Sequence, residues 1–183
     1  VKVRPYQPDF VLLAYVLNDP MPASMVVMSV GAARKQADQF AKLVAKSQLL
    51  GWASLQWQQF RQVHIQKQNY RDFYQGELWQ QSQQAIAQLA ADTTADQAPM
   101  AGVIFPLLLD FSRYPFAAEH EKIQAMFAAK TIPSLDLLPR FSQENHLALR
   151  PHPKDDTHPN SLGHQIAADQ IETWLWPQLV PLL

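Results

Sequence analysis

Uninterrupted apolar runs mark the predicted strands of a sheet. One run begins at Phe10 and ends at Leu17, a second covers residues 100–109, and a weaker third covers residues 132–138. A strand with one face in water would alternate apolar and polar positions, and the first two runs do not. The pattern therefore predicts strands that are buried on both faces of a parallel sheet.

Helical spacing of apolar residues separates these runs. It is found in residues 33–49, 76–91, 115–129 and 160–176, where apolar positions recur three and four residues apart. Strands that alternate with helices are typical of α/β proteins, whose parallel strands are joined by crossover helices. We therefore predict a single α/β domain over residues 1–183.

The segment between the first two strands is longer than one crossover helix requires. Residues 21–75 are rich in glutamine and aromatic residues, and we predict a helical insertion there. Two interpretations stay open at this point. The insertion is either a cap over a site or a set of extra helices that complete the core.

Composition narrows the classes of function. The chain has 183 residues, of which 48% are hydrophobic and 17% charged, as expected for a globular domain. Its net charge is -1 without a long basic run, which argues against a nucleic acid as partner. Cysteine is absent, which excludes a thiol nucleophile and cysteine-ligated zinc. No apolar run reaches the ~18 residues of a membrane span, so we predict none.

Polar residues that could take part in catalysis or binding come after the predicted strands and before the last predicted helix. Asn18 and Asp19 come directly after the first apolar run, and Asp110 follows the second. Asp155 and His158 lie just before the last predicted helix. Ligands of open α/β sheets bind beyond the carboxyl ends of the strands, so these positions are candidates for a common site.

Asp155 and His158 have the spacing Asp-x-x-His. A carboxylate this close can accept a hydrogen bond from one ring nitrogen, which leaves the other nitrogen able to take a proton. Asp156 is adjacent to Asp155 and is the alternative partner. The competing interpretation is a surface histidine at the start of a helix.

Metal binding is a further possibility for the same segment. Histidine and carboxylate side chains are suitable ligands, but their spacing here matches no compact metal motif, and we predict no bound metal. The side chains concerned are His152, Asp155, Asp156, His158 and His164.

Three stretches carry a resemblance to a known family. PDFVLLAYVLND resembles the third conserved block of the SGNH/GDSL serine hydrolases, and DDTHPNSLGHQIAADQI resembles the fifth. MAGVIFPLLL is similar to the strand between those blocks. The resemblance implies a three-layer, flavodoxin-like α/β fold with a five-stranded parallel sheet. It covers most of the chain but not the predicted insertion.

The resemblance also implies roles for individual residues. His158 corresponds to the general base that activates a serine, and Asp155, or alternatively Asp156, to the residue that orients it. Asn18 corresponds to a donor of the oxyanion hole. The implied reaction is hydrolysis of a small carboxylic ester through a serine acyl-enzyme, without a cofactor.

Two departures from the family pattern matter. Val16 stands where the third block has glycine, and no Gly-Asp-Ser, the family's nucleophile motif, occurs in the 183 residues. We therefore expect these residues to be the carboxy-terminal two-thirds or so of a larger hydrolase, with the serine and the first two strands upstream of Val1. Ser24 or Ser112 would be the nucleophile if that expectation failed.

The missing block leaves two further expectations. The strand over residues 10–17 would expose an edge that could associate with another chain. The alternative function is that of a truncated or degenerate SGNH-like domain that is non-catalytic and has a binding role or none.

Overall fold

The computed structural model of the protein describes residues 6–21, 70–153 and 155–180. The chain divides into two compact units. The first comprises Val1–Leu17 and Gln81–Leu183, and the second comprises Asn18–Gln80. The first unit contains the sheet.

The sheet has three parallel strands in the order β1-β2-β3. Strand β1 is Val11–Val16, β2 is Met100–Phe105 and β3 is Ser134–Asp136. The predicted parallel α/β arrangement is therefore confirmed at this level, while a flavodoxin-like fold stays a prediction. The second and third strands are shorter than their apolar runs because Pro106 follows β2 and Pro133 precedes β3, and proline has no N–H to extend a ladder.

Four α-helices lie entirely within the described residues. They are α1 at Gly76–Ala95, α2 at Ala117–Ala128, α3 at Leu138–Phe141 and α4 at Ser161–Leu179. Short 3₁₀ helices cover Phe111–Arg113 and His146–Leu149. Helices α1, α2 and α4 confirm three of the predicted helices, whereas the prediction for residues 33–49 lies outside the described part of the chain. None of the helices in the described ranges is both long and apolar enough to cross a membrane.

Both faces of β2 are covered by other elements. On one face, a Cβ added to Gly102 would lie 2.7 Å from Cζ of Phe127 on α2, so glycine allows the helix to approach the strand. Adjacent residues of a strand point to opposite faces, and Val103 therefore faces the other side. There it belongs to a buried cluster that includes residues of α3, of α4 and of the segments that connect the elements: Leu108, Leu137, Phe141, Leu149, Ile166 and Ala167. The core thus supports the end of β2, where the candidate site begins.

Strand β1 lies at one side of the sheet. Among the described strands it pairs with β2 alone, in a register that places Tyr15 opposite Ile104. Tyr15 is buried, whereas Leu12 is exposed. Association with another chain through this edge stays a prediction.

The predicted insertion over residues 21–75 lies mostly outside the described residues. Its last part is described and begins with a helical segment over residues 70–73. Within the second unit, Phe73 and Tyr74 are buried, and the ring of Tyr74 lies 5.1 Å from the ring of Trp79.

Candidate functional site

The segment before α4 is held by Asn160. Its side-chain Oδ1 accepts a hydrogen bond from the N–H of Gly163 at 3.1 Å and so caps the helix. Its Nδ2 donates to the carbonyls of Ala148 at 2.8 Å and Arg150 at 3.1 Å. One asparagine therefore joins the start of α4 to the residues that precede the candidate site.

Helix α4 begins at Ser161, one residue after the predicted start at residue 160. Proline is favoured at the first helical position, but the helix begins at Ser161, and Pro159 precedes the cap. The side-chain cap supplied by Asn160 fixes this boundary. A Cβ on Gly163 would lie 2.7 Å from Cβ of Pro159, so glycine allows the proline to close over the first turn.

Asp155 and His158 form a hydrogen-bonded pair, here named the dyad. Nδ1 of His158 lies 3.0 Å from Oδ2 and 3.1 Å from Oδ1 of Asp155. The backbone N–H groups of Thr157 and His158 donate to the same Oδ1 at 3.1 and 3.0 Å. The carboxylate thus fixes both the turn and the ring that the turn carries.

The hydrogen bonds also set the charge of Asp155. The backbone N–H of His158 is the main cause that lowers the pKa of Asp155 from 3.8 to about 2, and the N–H of Thr157 and the imidazole act in the same direction. Burial opposes this effect, but the Asp155 side chain keeps 30% of its surface exposed. The carboxylate is therefore ionised at neutral pH and accepts the Nδ1–H of the ring.

This geometry defines what the dyad can do. With Nδ1 assigned as the donor to Asp155, Nε2 of the neutral ring is an acceptor. The His158 side chain is 79% exposed, so a reacting group can reach Nε2. A ring with one nitrogen fixed by a carboxylate and the other open can act as a general base.

Asp156 makes a different contact. Its backbone carbonyl accepts a hydrogen bond from the N–H of Leu108 at 2.7 Å. The structure thus brings the side chain of Asp155, the first choice from the sequence, to His158, while Asp156 ties the backbone to the segment after β2. The catalytic role of either aspartate stays a prediction.

Arg150 strengthens the same connection. Its Nε donates to the carbonyl of Leu108 at 2.8 Å, Nη2 donates to that same carbonyl, and Nη1 donates to the carbonyl of Pro153 at 2.8 Å. The sequence gives no signal for this contact, because Arg150 and Leu108 are 42 positions apart. The arginine joins the segment of the dyad to the end of β2.

Asn18 follows β1 and opens the second unit. Its backbone carbonyl accepts a hydrogen bond from the N–H of Met21 at 2.9 Å, which is the turn that the Asn-Asp-Pro sequence favours. Val16, in the position of the family's glycine, is the last residue of β1. The oxyanion role of Asn18 stays a prediction.

Other candidates from the sequence have local partners or lie elsewhere. Asp110 caps the short helix at Phe111–Arg113, where its Oδ1 accepts hydrogen bonds from the N–H and the hydroxyl of Ser112 at 3.0 and 2.7 Å. The hydrogen bond from the Ser112 hydroxyl is the main cause that lowers the pKa of Asp110, and the hydrogen bond from the Ser112 N–H is the next. Ser112 thus pairs with a carboxylate, and Ser24 lies outside the described residues.

A buried histidine was missed by sequence reasoning. His120 on α2 is 1% exposed, and its Nδ1 lies 2.8 Å from Oδ1 of Asp136, the last residue of β3. Its Nε2 lies 3.2 Å from the hydroxyl of Tyr114. We name Tyr114, His120 and Asp136 the buried network. Its members come from a loop, a helix and a strand, so spacing along the chain does not reveal it.

Metal ligands do not assemble in the described ranges. No group of three or more histidine, aspartate or glutamate side chains there could hold a metal ion. The dyad supplies two such side chains, and His164 lies exposed on α4.

Comparison with known proteins gives no family for the chain. A scan against protein-family models, a search of curated proteins and a search of solved structures each found no match.

Proposed function

We propose that this chain supplies the base of an SGNH-type hydrolase that acts on carboxylic esters. The observation that carries the proposal is the dyad, in which Asp155 holds Nδ1 of His158 at 3.0 Å and leaves Nε2 on an exposed ring. An ionised carboxylate in this position stabilises the imidazolium that forms when the ring takes a proton. The resemblance of the two sequence blocks supports the same assignment.

The proposed reaction proceeds in two steps. Nε2 of His158 takes the proton of a serine hydroxyl, and the serine oxygen attacks the ester carbonyl. The ring then returns the proton to the departing alcohol, which leaves an acyl-enzyme. In the second step Nε2 takes a proton from water, whose oxygen attacks the carbonyl of the acyl-enzyme. The bond between the acyl carbon and the serine oxygen then breaks, the acid leaves, and the ring returns its proton to the serine oxygen.

The serine in this proposal comes from a Gly-Asp-Ser block ahead of β1. The 183 residues contain no such motif. We therefore assign the nucleophile to the complete protein, and the base, its carboxylate partner and the oxyanion donor to these 183 residues. Asn18, which directly follows the apolar run of β1, is the proposed oxyanion donor. The proposed substrate is a small ester.

The test compares two histidine variants of the complete protein. His158→Ala should lower kcat for a short aliphatic ester by about 10³-fold or more, since the base is lost, with little change in thermal stability. His164→Ala is the matched control, because that ring is exposed on α4 a few positions away. Labelling of a serine by a fluorophosphonate probe should also fall in the His158 variant alone.

A non-catalytic role is the second candidate. The observation in its favour is the 79% exposure of His158, which a histidine at the surface entry of a helix would also show. Equal ester hydrolysis by His158→Ala and the parent would support this candidate and end the hydrolase proposal. Absence of fluorophosphonate labelling in the complete parent protein would do the same.

A further inference from the structure

The buried network has a consistent pattern of donors and acceptors. The hydroxyl oxygen of Tyr114 accepts the N–H of Leu107 at 3.0 Å, so its own hydrogen can be donated to Nε2 of His120 at 3.2 Å. Nδ1 of His120 then carries the hydrogen that is donated to Asp136. Oδ1 of Asp136 also accepts the N–H of Leu138 at 2.9 Å. A neutral ring with its hydrogen on Nδ1 satisfies every one of these contacts.

The network contacts the segment after β2, and this segment is hydrogen-bonded to the residue next to Asp155 of the dyad. Leu107, whose N–H is held by Tyr114, is followed by Leu108, whose N–H donates to the carbonyl of Asp156 at 2.7 Å. The carbonyl of Leu108 in turn accepts the bonds of Arg150. Two consecutive peptide groups therefore connect the buried network with the residues next to the dyad.

We infer that Tyr114 and His120 are positioning residues for the dyad. The network fixes the backbone at Leu107, and this fixed backbone presents Leu108 to Asp156, the neighbour of Asp155. Its contribution to catalysis rests on the proposed function, whereas its contribution to the geometry of the dyad does not. Hydrogen-bonded chains of this kind can act as a unit when each member is satisfied and buried.

The competing explanation is that the network only stabilises the core. Its burial fits either explanation, since unpaired polar groups in the core are costly wherever they lie. The two explanations predict different effects when a hydrogen bond of the network is removed. A core role lowers global stability, whereas a positioning role changes the loop of the dyad before the molecule unfolds.

Two variants interrupt the network at single side chains. Tyr114→Phe removes the hydroxyl and keeps the ring, which packs edge-on to His120 with centroids 5.6 Å apart. His120→Asn keeps a short amide near Asp136 but cannot reach the Tyr114 hydroxyl. Tyr15→Phe is the matched control, because it removes another hydroxyl from a buried tyrosine, one that is hydrogen-bonded to Ser82 at 3.0 Å.

The first readout is amide hydrogen exchange in the full chain. Exchange at the N–H of Leu108 should be at least about fivefold faster in Tyr114→Phe and in His120→Asn, and should change by less than about twofold in Tyr15→Phe. Exchange at Val103, in the centre of β2, reports global opening, and it should be accelerated less than exchange at Leu108 in both network variants. Equal rates at Leu108 in Tyr114→Phe and Tyr15→Phe would overturn the inference.

The second readout is the tautomer of His158, observed through its ring nitrogens by NMR. The parent should hold the hydrogen on Nδ1, and both network variants should move toward the tautomer mixture of free histidine. A faster Leu108 amide with an unchanged His158 tautomer would show that the effect stops at the loop, and would also overturn the inference.

Kinetics separate this inference from the proposed function. In the complete enzyme, Tyr114→Phe should lower kcat about tenfold with KM unchanged, since a small displacement of the base affects turnover more than binding. An unchanged kcat in an active enzyme would refute the positioning role. If the complete parent protein lacks esterase activity, the proposed function fails, and the exchange and tautomer readouts decide the inference alone.

Discussion

Replacement of Asp155 by asparagine tests the electrostatics of the dyad. Asparagine keeps an oxygen that can accept the N–H groups of Thr157 and His158, which now donate at 3.1 and 3.0 Å. It loses the negative charge, which those groups and the imidazole stabilise. The variant therefore isolates the part of the interaction that depends on ionisation.

The magnitude follows from the pKa of Asp155. Its fall from 3.8 to about 2 corresponds to at most about 2.4 kcal/mol of folding free energy, at about 1.36 kcal/mol for each pH unit. The carboxylate keeps 30% of its surface exposed, and screening by water reduces such interactions strongly. We therefore expect Asp155→Asn to lower the free energy of unfolding by about 1 kcal/mol at pH 6.

The dependence on pH has a definite sign. Because the pKa of Asp155 is lower in the folded protein than in the unfolded chain, its contribution is complete above the unfolded value of 3.8. It is lost as the pH falls toward about 2. The difference between parent and variant should therefore fall by about half or more between pH 6 and pH 3.

Urea unfolding at pH 6, 5, 4 and 3 measures this difference. Asp156→Asn is the matched control, because its contact with Leu108 uses a backbone carbonyl that the substitution keeps, and we expect a change below about 0.5 kcal/mol. A difference for Asp155→Asn that stays constant from pH 6 to pH 3 would refute the reasoning. So would a larger loss of stability in Asp156→Asn than in Asp155→Asn.

Three further predictions follow from the fold and the site. Asn160→Ala should cost about 2–3 kcal/mol in urea unfolding, since it removes a cap and two bonds to carbonyls, and Asn145→Ala, which removes one bond to Leu147, should cost less than half as much. Gly102→Ala should lower stability by about 1–3 kcal/mol through its clash with Phe127, and failure of Phe127→Leu to recover part of that loss would count against the packing argument. If the proposed function holds, Asn18→Ala should lower kcat of the complete protein about 100-fold with KM nearly unchanged, and a loss limited to thermal stability would point to its turn instead.

Local patterns in the sequence determined the elements of the first unit. The apolar runs predicted the three parallel strands because a strand buried on both faces has no polar position to interrupt it. The Asp-x-x-His spacing also correctly indicated the contact between Asp155 and His158. The two residues are three positions apart in a turn, which brings the Asp155 carboxylate within 3.0 Å of the His158 ring. The reach of such interactions is a few residues, so spacing along the chain is enough to find them.

The pattern of apolar residues was not sufficient to predict where each strand and helix begins and ends. Pro106 limits β2, and the side chain of Asn160 sets the start of α4 one residue beyond itself. Which of the two aspartates, Asp155 or Asp156, contacts the His158 ring also depended on structure. Adjacent side chains point in different directions, and the turn decides which of them faces the ring.

Only the tertiary structure decided how the dyad is supported. Arg150 reaches Leu108 across 42 positions, and His120 reaches Asp136 across 16. Arg150 contacts a backbone carbonyl, which any residue can supply, so the sequence gives no signal for its partner. His120 contacts the side chains of Asp136 and Tyr114, which belong to other elements, so its partners are found only when the strand, the helix and the loop pack together.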